Sequence, residues 1–345
     1  MSAVLGVLGV ALLLLAFGDA IATAVRVGRR GGPVTRLVAG LLWRVLSRVR
    51  RPSAGHVPLY VPGLVVTLGI LVFWLTAVVA GWFLIFSSSA GALLVEATGR
   101  PAGGWDRLNF AAASVFGRAM DLRPSNAAWD ACAWAASASG LILLSLAIAY
   151  LIPITAAVSE KRQLARVISA LGRTPADIVA KGWRDGDFPQ LEDWLMSLTP
   201  MLARLAEHHL AYPMLHFFHT ADRDAALGPS VAVLNDALLL LDLGTDDRVR
   251  PSRLAIDTPR AAIDALLSTM PQAYVTTAVE APPEPDLDEL ELHDIPHESR
   301  SVIQAGFASA ADQRRRILSL VHHEGWTWAA TTTGSPDREG DTEAR

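Results

Sequence analysis

The chain has 345 residues, of which 51% are hydrophobic and only 19% are charged, whereas soluble domains carry about 25% charged residues. The net charge of -4 argues against a nucleic-acid partner, which would favour a basic face. A single cysteine excludes a disulfide framework and a thiolate metal site. The deficit of charge lies in the first 160 residues, so we expect a membrane half followed by a polar, soluble half.

Three segments are apolar enough to cross a bilayer, which takes about 20 residues. The first, residues 1–26, is interrupted only by Asp19 and lacks the basic start of a signal peptide. Residues 61–86 and 131–159 contain no charged side chain. These patterns predict three transmembrane helices. Asp19 could pair with Arg26, reach the interface by snorkelling, or act as a functional acid inside the membrane.

Segment 27–60 is basic and predicts the orientation of the chain. Eight arginines, from Arg26 at the end of the first span to Arg51, and no acid lie ahead of the second predicted span, which places this segment in the cytoplasm by the positive-inside rule. The N-terminus is then outside, and the C-terminal half lies on the cytoplasmic side of a bacterial inner membrane. Within the segment, residues 34–49 have apolar side chains at helical spacing with arginines opposite. They predict a helix along the inner membrane surface or a cytoplasmic extension of a neighbouring helix.

Residues 87–130 join the second and third predicted spans on the outer side. Within them, residues 105–116 contain an apolar run of about ten residues, which is too short to span the bilayer but suits a re-entrant helix. Irregular backbone at membrane depth needs burial by protein or contact with a water-filled cavity. A helix followed by such a loop is how selectivity filters are built. A short amphipathic helix on the outer surface is the alternative.

The order of these features resembles the two-helix pore module of potassium-channel-like proteins. Residues 109–116 are similar to the pore helix of that family, and Asp121 and Pro124 match the Asp and Pro that follow its filter. Residues 140–151, beginning at Gly140, resemble its inner helix. The resemblance implies a pore module at residues 61–159, with a pore loop at 105–124 and a hinge at Gly140.

Other parts of the chain resemble a bacterial branch of the same superfamily, with an extra N-terminal span and a helical cytosolic domain. The passages that carry this likeness are Asp19-Ala20-Ile21-Ala22-Thr23, Leu42-Trp43-Arg44, Gly81-Trp82, His209-Leu210-Ala211-Tyr212-Pro213-Met214-Leu215 and Gly325-Trp326-Thr327-Trp328. Because one module supplies a quarter of a pore, the resemblance implies a homotetramer.

The filter-like stretch departs from the family pattern Thr-x-Gly-x-Gly-Asp. Its residues are Ser114, Val115, Phe116, Gly117, Arg118, Ala119, Met120 and Asp121. The stretch has one glycine, where a filter needs several to aim carbonyls into the pore. It also contains Arg118, which opposes cation entry into a narrow pore unless it pairs with Asp121 or faces outside water. We therefore expect the channel architecture without normal potassium selectivity.

The C-terminal half predicts short helices. Residues 160–278 form a helical cytosolic domain in this interpretation, and three Thr-Pro pairs each predict a helix start: Thr174-Pro175, Thr199-Pro200 and Thr258-Pro259. Residues 279–299 are acidic and Pro-rich, as in a solvated linker. A C-terminal helix is expected within 300–330, with Arg314, Arg315 and Arg316 on a solvated face or at a lipid-headgroup site. Residues 331–345 are expected to be disordered.

No catalytic motif or cofactor-binding loop is recognisable, so the sequence predicts neither an enzyme nor a cofactor. The histidine cluster is His208, His209, His216 and His219. His216 and His219 are three residues apart and could offer one helix face to a metal. Ordinary buried or surface histidines in a helix pair broken at Pro213 are the alternative.

Two functional hypotheses follow for this all-α membrane protein. The first is a homotetrameric pore-loop channel in the lipid bilayer, which passes monovalent ions without normal potassium selectivity. The second is a non-conducting scaffold or signalling protein that keeps the channel fold and binds a partner through its cytosolic domain. The altered filter favours the second hypothesis, whereas the complete set of spans favours the first.

Overall fold

The structure is a computed structural model that describes residues 2–25, 32–49, 61–270 and 278–332. It is about 74% helical, which confirms the predicted all-α class. The described residues form two compact units: those within 1–49 and 64–154 make the first, and those within 50–63 and 155–345 make the second.

The first unit contains the apolar helices. Its elements are α1 (Ser2–Val25), α2 (Pro33–Val49), α3 (Val61–Ser87), β1 (Leu93–Val95), α4 (Gly104–Val115), β2 (Leu122–Pro124) and the N-terminal part of α5 (Ala127–Leu171). Each segment of this half for which a helix was predicted is helical, and the number of transmembrane helices and the re-entrant path of α4 stay predictions. The two short strands, which the sequence did not predict, pair antiparallel with Leu94 opposite Arg123.

Close backbone contact joins α1 to α3. A Cβ atom added at Gly9 would lie 2.6 Å from the carbonyl oxygen of Gly81, and one added at Gly81 would lie 2.8 Å from Leu13 Cγ. Real Cβ atoms do not come this near, so both positions require glycine. Small residues that let helix backbones approach are typical of contacts between helices in membranes.

Four helices of the described residues are long and apolar enough to cross a membrane. Three of them, Ala3–Ala24, Pro62–Ser87 and Ala127–Leu171, are 22%, 39% and 22% buried over their most apolar window. The fourth, Leu227–Gly244, is 89% buried, so its apolar side chains already lie inside the protein. Membrane helices are thus confirmed as a class.

The second unit is built around α8 (Leu227–Leu239), which is surrounded by other helices of the unit. The remaining elements are α6 (Pro175–Gly182), α7 (Leu191–Ala211), α9 (Arg253–Thr269), α10 (Asp288–Leu292), α11 (Arg300–Ser309), α12 (Ala311–His323) and α13 (Ala329–Thr332). All thirteen residues of α8 are buried. It contacts α6, α9, α12 and α13, and the last turn widens to a π-helical turn at Leu240–Gly244.

One of the three predicted Thr-Pro helix starts is confirmed. Thr174 caps α6, and its hydroxyl accepts a hydrogen bond from the Asp177 N–H at 3.1 Å. The other two predictions are wrong, because Pro200 lies inside α7 and Pro259 inside α9. A proline inside a helix removes one backbone hydrogen bond. The apolar faces of α7 and α9, which pack against each other, outweigh that local preference.

The prediction of a solvated linker at residues 279–299 is wrong for its middle. Leu287, Leu290 and Ile295 are 7% exposed or less and belong to the core of the second unit. The acidic residues between these three side chains make the average composition of the segment polar. That average gave no sign of the three side chains that anchor the segment in the core. The expected C-terminal helix is divided into α11 and α12. Residues 333–345 of the expected disordered tail lie outside the described residues.

Candidate functional site

The filter-like stretch of the sequence begins at the end of α4, so the anchoring of this helix positions the candidate site. At its start, the Asp106 carboxylate accepts a hydrogen bond from the Gly103 N–H at 3.1 Å. Arg107 donates to the Ala90 carbonyl at 2.8 Å. Phe110 packs edge-on against Phe86, with the ring centroids 5.2 Å apart. These contacts fix α4 to the end of α3 and to the chain that follows it.

The other end of α4 lies against the middle of the apolar part of α5. Ser137 donates a hydrogen bond to the Ser114 carbonyl oxygen at 2.9 Å. One turn further along α5, a Cβ atom at Gly140 would lie 1.9 Å from the Val115 carbonyl oxygen. Gly140 is therefore the place where the α5 backbone admits the end of α4. The hinge that the resemblance implies at this glycine stays a prediction.

Gly117 terminates α4, and its place in a filter stays a prediction. Its φ of +68° is in the left-handed region, which glycine adopts without the penalty of other residues. The Gly117 N–H donates to the Ser114 carbonyl at 3.0 Å, and the Arg118 N–H donates to the Ala113 carbonyl at 2.7 Å. This pair of bonds is a Schellman motif, which satisfies the last carbonyls of a helix.

The residues after Gly117 form an exposed loop that leads back to β2. Phe116 is 68% exposed, and residues 117–119 and 121 are also exposed, with Met120 half-buried. No ion pair joins Arg118 to Asp121 in the described part of the chain. The Asp121 carbonyl accepts from the Glu96 N–H at 3.1 Å, which holds the returning chain beside β1.

A cavity of about 360 Å³ lies next to the end of α4. Its lining is almost wholly apolar and comes from α3, from the end of α4 and from α5. Leu71, Leu75, Phe116, Gly140 and Leu144 are among its lining residues. The exposed loop and this apolar cavity therefore adjoin each other at the end of α4.

A buried polar cluster in the first unit surrounds Asp19, which is only 3% exposed. Its carboxylate accepts hydrogen bonds from the Val34 N–H at 2.9 Å and from the Thr35 hydroxyl at 2.5 Å. It also accepts from the Thr35 N–H at 3.1 Å and from the Trp74 indole N–H at 3.1 Å. Asp19 therefore caps the first turn of α2, where a negative charge is favourable.

This geometry corrects one expectation for Asp19, because a buried and fully hydrogen-bonded carboxylate does not snorkel to the interface. The proposed pairing with Arg26 falls outside the described residues. Gly32 is part of the same cluster, since a Cβ atom there would lie 2.0 Å from an Asp19 oxygen. The sequence signal for the cap was Gly32-Pro33 before a helix, since proline is favoured at a first helical position. No feature of the sequence indicated that Trp74 would bond to Asp19.

The histidines lie together in the second unit. The rings of His209 and His216 are 4.9 Å apart, and those of His219 and His323 are 5.1 Å apart. The Nε2 atoms of His219 and His323 lie 2.8 and 3.1 Å from one acceptor, the His216 carbonyl oxygen. These nitrogens therefore donate to backbone. No group of metal-ligating side chains in the described residues could hold a metal ion.

A buried ion pair adjoins the histidines. Lys161 Nζ lies 2.6 Å from Glu324 Oε1 and donates to the Phe218 carbonyl at 3.0 Å. The other Glu324 oxygen accepts from the Gly228 N–H at 2.7 Å, in the first turn of α8. Both side chains are about 95% buried, so Glu324 ties the end of α12 to Lys161 of α5 and to the start of α8. A pair of this kind costs desolvation that only good geometry offsets.

Burial and, to a smaller extent, the nearby Lys161 charge lower the pKa of His209 from 6.5 to about 4. Burial also lowers the pKa of His216, with contributions from His209, His323 and Lys161. An unfolded chain binds more protons than the folded one between the two pKa values of His209. Stability is therefore fully present above about pH 6.5 and is lost as the pH falls toward 4.

We expect acidification from pH 7 to pH 4 to destabilise the second unit by about 3 kcal/mol through His209 alone, since a pKa unit corresponds to about 1.4 kcal/mol. Denaturant melts of the detergent-solubilised protein across this range would measure the slope. His209→Gln should flatten it, whereas the exposed control His293→Gln should not. Equal slopes in all three proteins would contradict the assignment.

A curated membrane protein is similar to the chain over nearly its whole length. The "Uncharacterized membrane protein YdjJ" of Bacillus subtilis (strain 168) is 30% identical over 320 residues, which is 92% of this chain and 93% of that protein. Neither a protein-family model nor a solved structure matches. The chain is therefore a membrane protein that belongs to the family of YdjJ from Bacillus subtilis.

Proposed function

We propose that the protein is a channel-like membrane protein in which α4 and the loop after it form a re-entrant pore loop. The observation that carries the proposal is the contact of the end of α4 with Ser137 and Gly140. At 1.5 Å per residue, these positions lie about 15–20 Å along α5 from its start. That distance is about half of a 30 Å hydrocarbon core, so the loop would lie near mid-membrane.

The proposed topology has three transmembrane helices, α1, α3 and the apolar part of α5. The fourth apolar helix, Leu227–Gly244, stays in the cytosolic domain because its side chains are buried there. The arginine-rich segment after α1 faces the cytoplasm of a bacterial inner membrane. The N-terminus is then outside and the C-terminal domain inside. No enzymatic activity and no cofactor form part of the proposal.

The loop requires neighbouring copies. Its residues are exposed in one chain apart from the half-buried Met120, and polar backbone at membrane depth must be enclosed by protein or face a water-filled cavity. The apolar cavity beside α4 adds surface that a second copy would cover. A ring of four copies, with the loops near the axis, satisfies both requirements and matches the homotetramer implied by the resemblance.

Potassium selectivity is not part of the proposed function. The one glycine of the filter-like stretch is used to end α4, and the Ala113 and Ser114 carbonyls accept hydrogen bonds from within the chain. In a ring, four copies of Arg118 would also lie near one axis. A unit charge 6 Å away repels a cation by about 3 kcal/mol at an effective dielectric of 20. Monovalent ions are therefore expected to pass poorly and without discrimination.

Reversal potentials of the purified protein in planar bilayers would test this proposal. With a potassium/sodium gradient, we expect no preference for potassium over sodium. Arg118→Gln should raise cation flux by about tenfold or more, because four repulsive charges leave the axis. The matched control Arg100→Gln removes an exposed arginine from the same outer segment and should change little. A wild-type reversal potential at the potassium equilibrium value would refute the proposed filter.

The mass of the solubilised protein gives an independent prediction. We expect a complex of four chains in mild detergents, measured by light scattering with correction for bound detergent. A larger residue at Gly140, such as Gly140→Leu, should collide with the Val115 carbonyl, displace the loop and reduce the tetramer fraction. Ala138→Leu, two positions away on an exposed face of α5, is the control. A strictly monomeric wild type would remove the channel proposal.

The second candidate is a non-conducting scaffold with a channel-like fold. It is favoured by the same engaged carbonyls at the end of α4, which leave few groups to replace the hydration shell of an ion. In that case the tetramer persists, but neither the wild type nor Arg118→Gln conducts. A partner would then bind the cytosolic domain. The combination of mass and flux measurements separates the two candidates.

A further inference from the structure

Helix α2 presents three different faces. The first is buried within its own unit and contains Thr35 and Ala39, which are at most 2% exposed. Leu42 continues this face, because a Cβ atom at Gly69 of α3 would lie 2.5 Å from Leu42 Cδ1. This face therefore packs against the first unit itself.

The second face is an exposed apolar stripe. Leu37, Leu41 and Val45 are 58%, 48% and 57% exposed and lie four residues apart. At 100° per residue they cover about 80° of the helix surface. An exposed row of large aliphatic side chains is expected where acyl chains, rather than water, surround the helix.

The third face is basic. Arg36 and Arg44 are both exposed and lie on one side of α2 with Gly40 between them. Their side is centred about 100° from the apolar stripe and about 130° from the buried face. The two arginines therefore lie on a side of α2 that is neither the buried face nor the aliphatic stripe, as expected for residues that face lipid headgroups.

The depth of α2 follows from its cap. Asp19 lies about 25 Å along α1 from Ser2 at 1.5 Å per residue, which is close to the inner edge of a 30 Å hydrocarbon core. The first turn of α2 is bonded to this carboxylate. The helix therefore starts near the inner boundary of the bilayer, where the phosphate groups of the inner leaflet lie.

We propose that α2 is an interfacial helix whose arginine face binds the phosphate groups of anionic phospholipids in the inner leaflet. The charges are complementary, because no Asp or Glu occurs from residue 20 to residue 95, and Asp19 is already engaged by the start of α2. Arginine binds phosphate through its planar fork of donors. The aliphatic stripe meanwhile rests among the upper acyl chains.

Spin-labelled lipids would test the binding in full-length protein reconstituted in phosphatidylcholine membranes. The probes are labelled phosphatidylglycerol and labelled phosphatidylcholine, and the readout is the relative association with the protein surface. We expect the wild type to prefer phosphatidylglycerol, and R36Q/R44Q to lower that preference about fivefold or more, since each basic residue near the surface strengthens the attraction for anionic lipid. R100Q/R123Q, a pair of exposed arginines on the outer side, is the matched control and should keep the preference.

A depth measurement separates loss of binding from loss of fold. In a Cys132→Ala background, a spin label at Leu41→Cys should be more accessible to oxygen than to a water-soluble nickel chelate, both with and without R36Q/R44Q. The proposal is overturned if the label at residue 41 favours the nickel chelate in the wild type. It is also overturned if R36Q/R44Q and R100Q/R123Q leave the same lipid preference. Neither measurement depends on ion conduction, so they stand apart from the channel experiments.

Discussion

Arg314→Gln should lower the free energy of unfolding of the second unit by about 3–5 kcal/mol, the usual cost of removing one partner of a buried ion pair. Arg314 is 2% exposed, and its guanidinium lies 2.8 Å from the Asp236 carboxylate. It also donates to the Pro282 and Pro283 carbonyls at 2.9 and 2.6 Å. The group stands 4.9 Å from the centre of the Phe307 ring.

The loss has two parts. Burial raises the pKa of Asp236 in the core helix α8, and the hydrogen bonds and charge of Arg314 lower it. Without the guanidinium, a buried carboxylate stays unpaired or takes up a proton. In addition, the Pro282 and Pro283 carbonyls lose their hydrogen-bond donor. The segment that contains these two prolines is then held less tightly.

Arg316→Gln is the matched control, two positions along the same arginine triplet. Arg316 is half-buried at the surface of α12, so its substitution should change stability by less than about 1 kcal/mol. Hydrogen exchange of α8 and α12 across a denaturant series would measure both variants in the full-length protein. A double variant, D236L/R314M, should recover part of the loss, since it leaves no unpaired charge. Equal stability of the two single variants would contradict the prediction.

Asp19→Ala should detach α2 from the first unit, with a loss of at least about 3 kcal/mol. The carboxylate satisfies the Val34 and Thr35 N–H groups, the Thr35 hydroxyl and the Trp74 indole N–H. Each buried donor without an acceptor costs about 1–3 kcal/mol. In membrane surroundings water replaces few of these bonds.

Thermal melts of the detergent-solubilised protein and thiol labelling of Leu42→Cys, in a Cys132→Ala background, would measure the effect. Asp19→Ala should lower the midpoint and speed the labelling of residue 42, and Asp19→Asn should fall between wild type and Asp19→Ala. Asp130→Ala, an exposed acid at the start of α5, is the control. Unchanged labelling in Asp19→Ala would show that α2 is held by its buried face alone.

Local pattern was sufficient to predict the first unit's helices. The three long apolar helices and the short α4 follow from the length and composition of single segments, and the cap at Thr174 follows from one dipeptide. Patterns of this kind depend on neighbours along the chain. They failed at Pro200, where packing between α7 and α9 outweighed a local helix-start signal.

The polar partners could not be predicted because they are distant in sequence. Trp74 is 55 residues from the carboxylate that it bonds, and Arg314 is 78 residues from Asp236. A single sequence contains no periodicity that links such positions. Arg314 was expected on a solvated face or at a lipid-headgroup site because two more arginines follow it, yet the helix buries this one.

The fit between Gly140 and the Val115 carbonyl makes α4 and α5 mechanically dependent. At 1.9 Å from a would-be Cβ, the backbone of α5 leaves no clearance at this level. A bend at Gly140 must either open a gap beneath the loop or carry the loop with it. In the proposed ring of copies, a change in the tilt of α5 would therefore also change the shape of the constriction formed by the loops. A gate at Gly140 and a filter in the loop could then not move independently of each other.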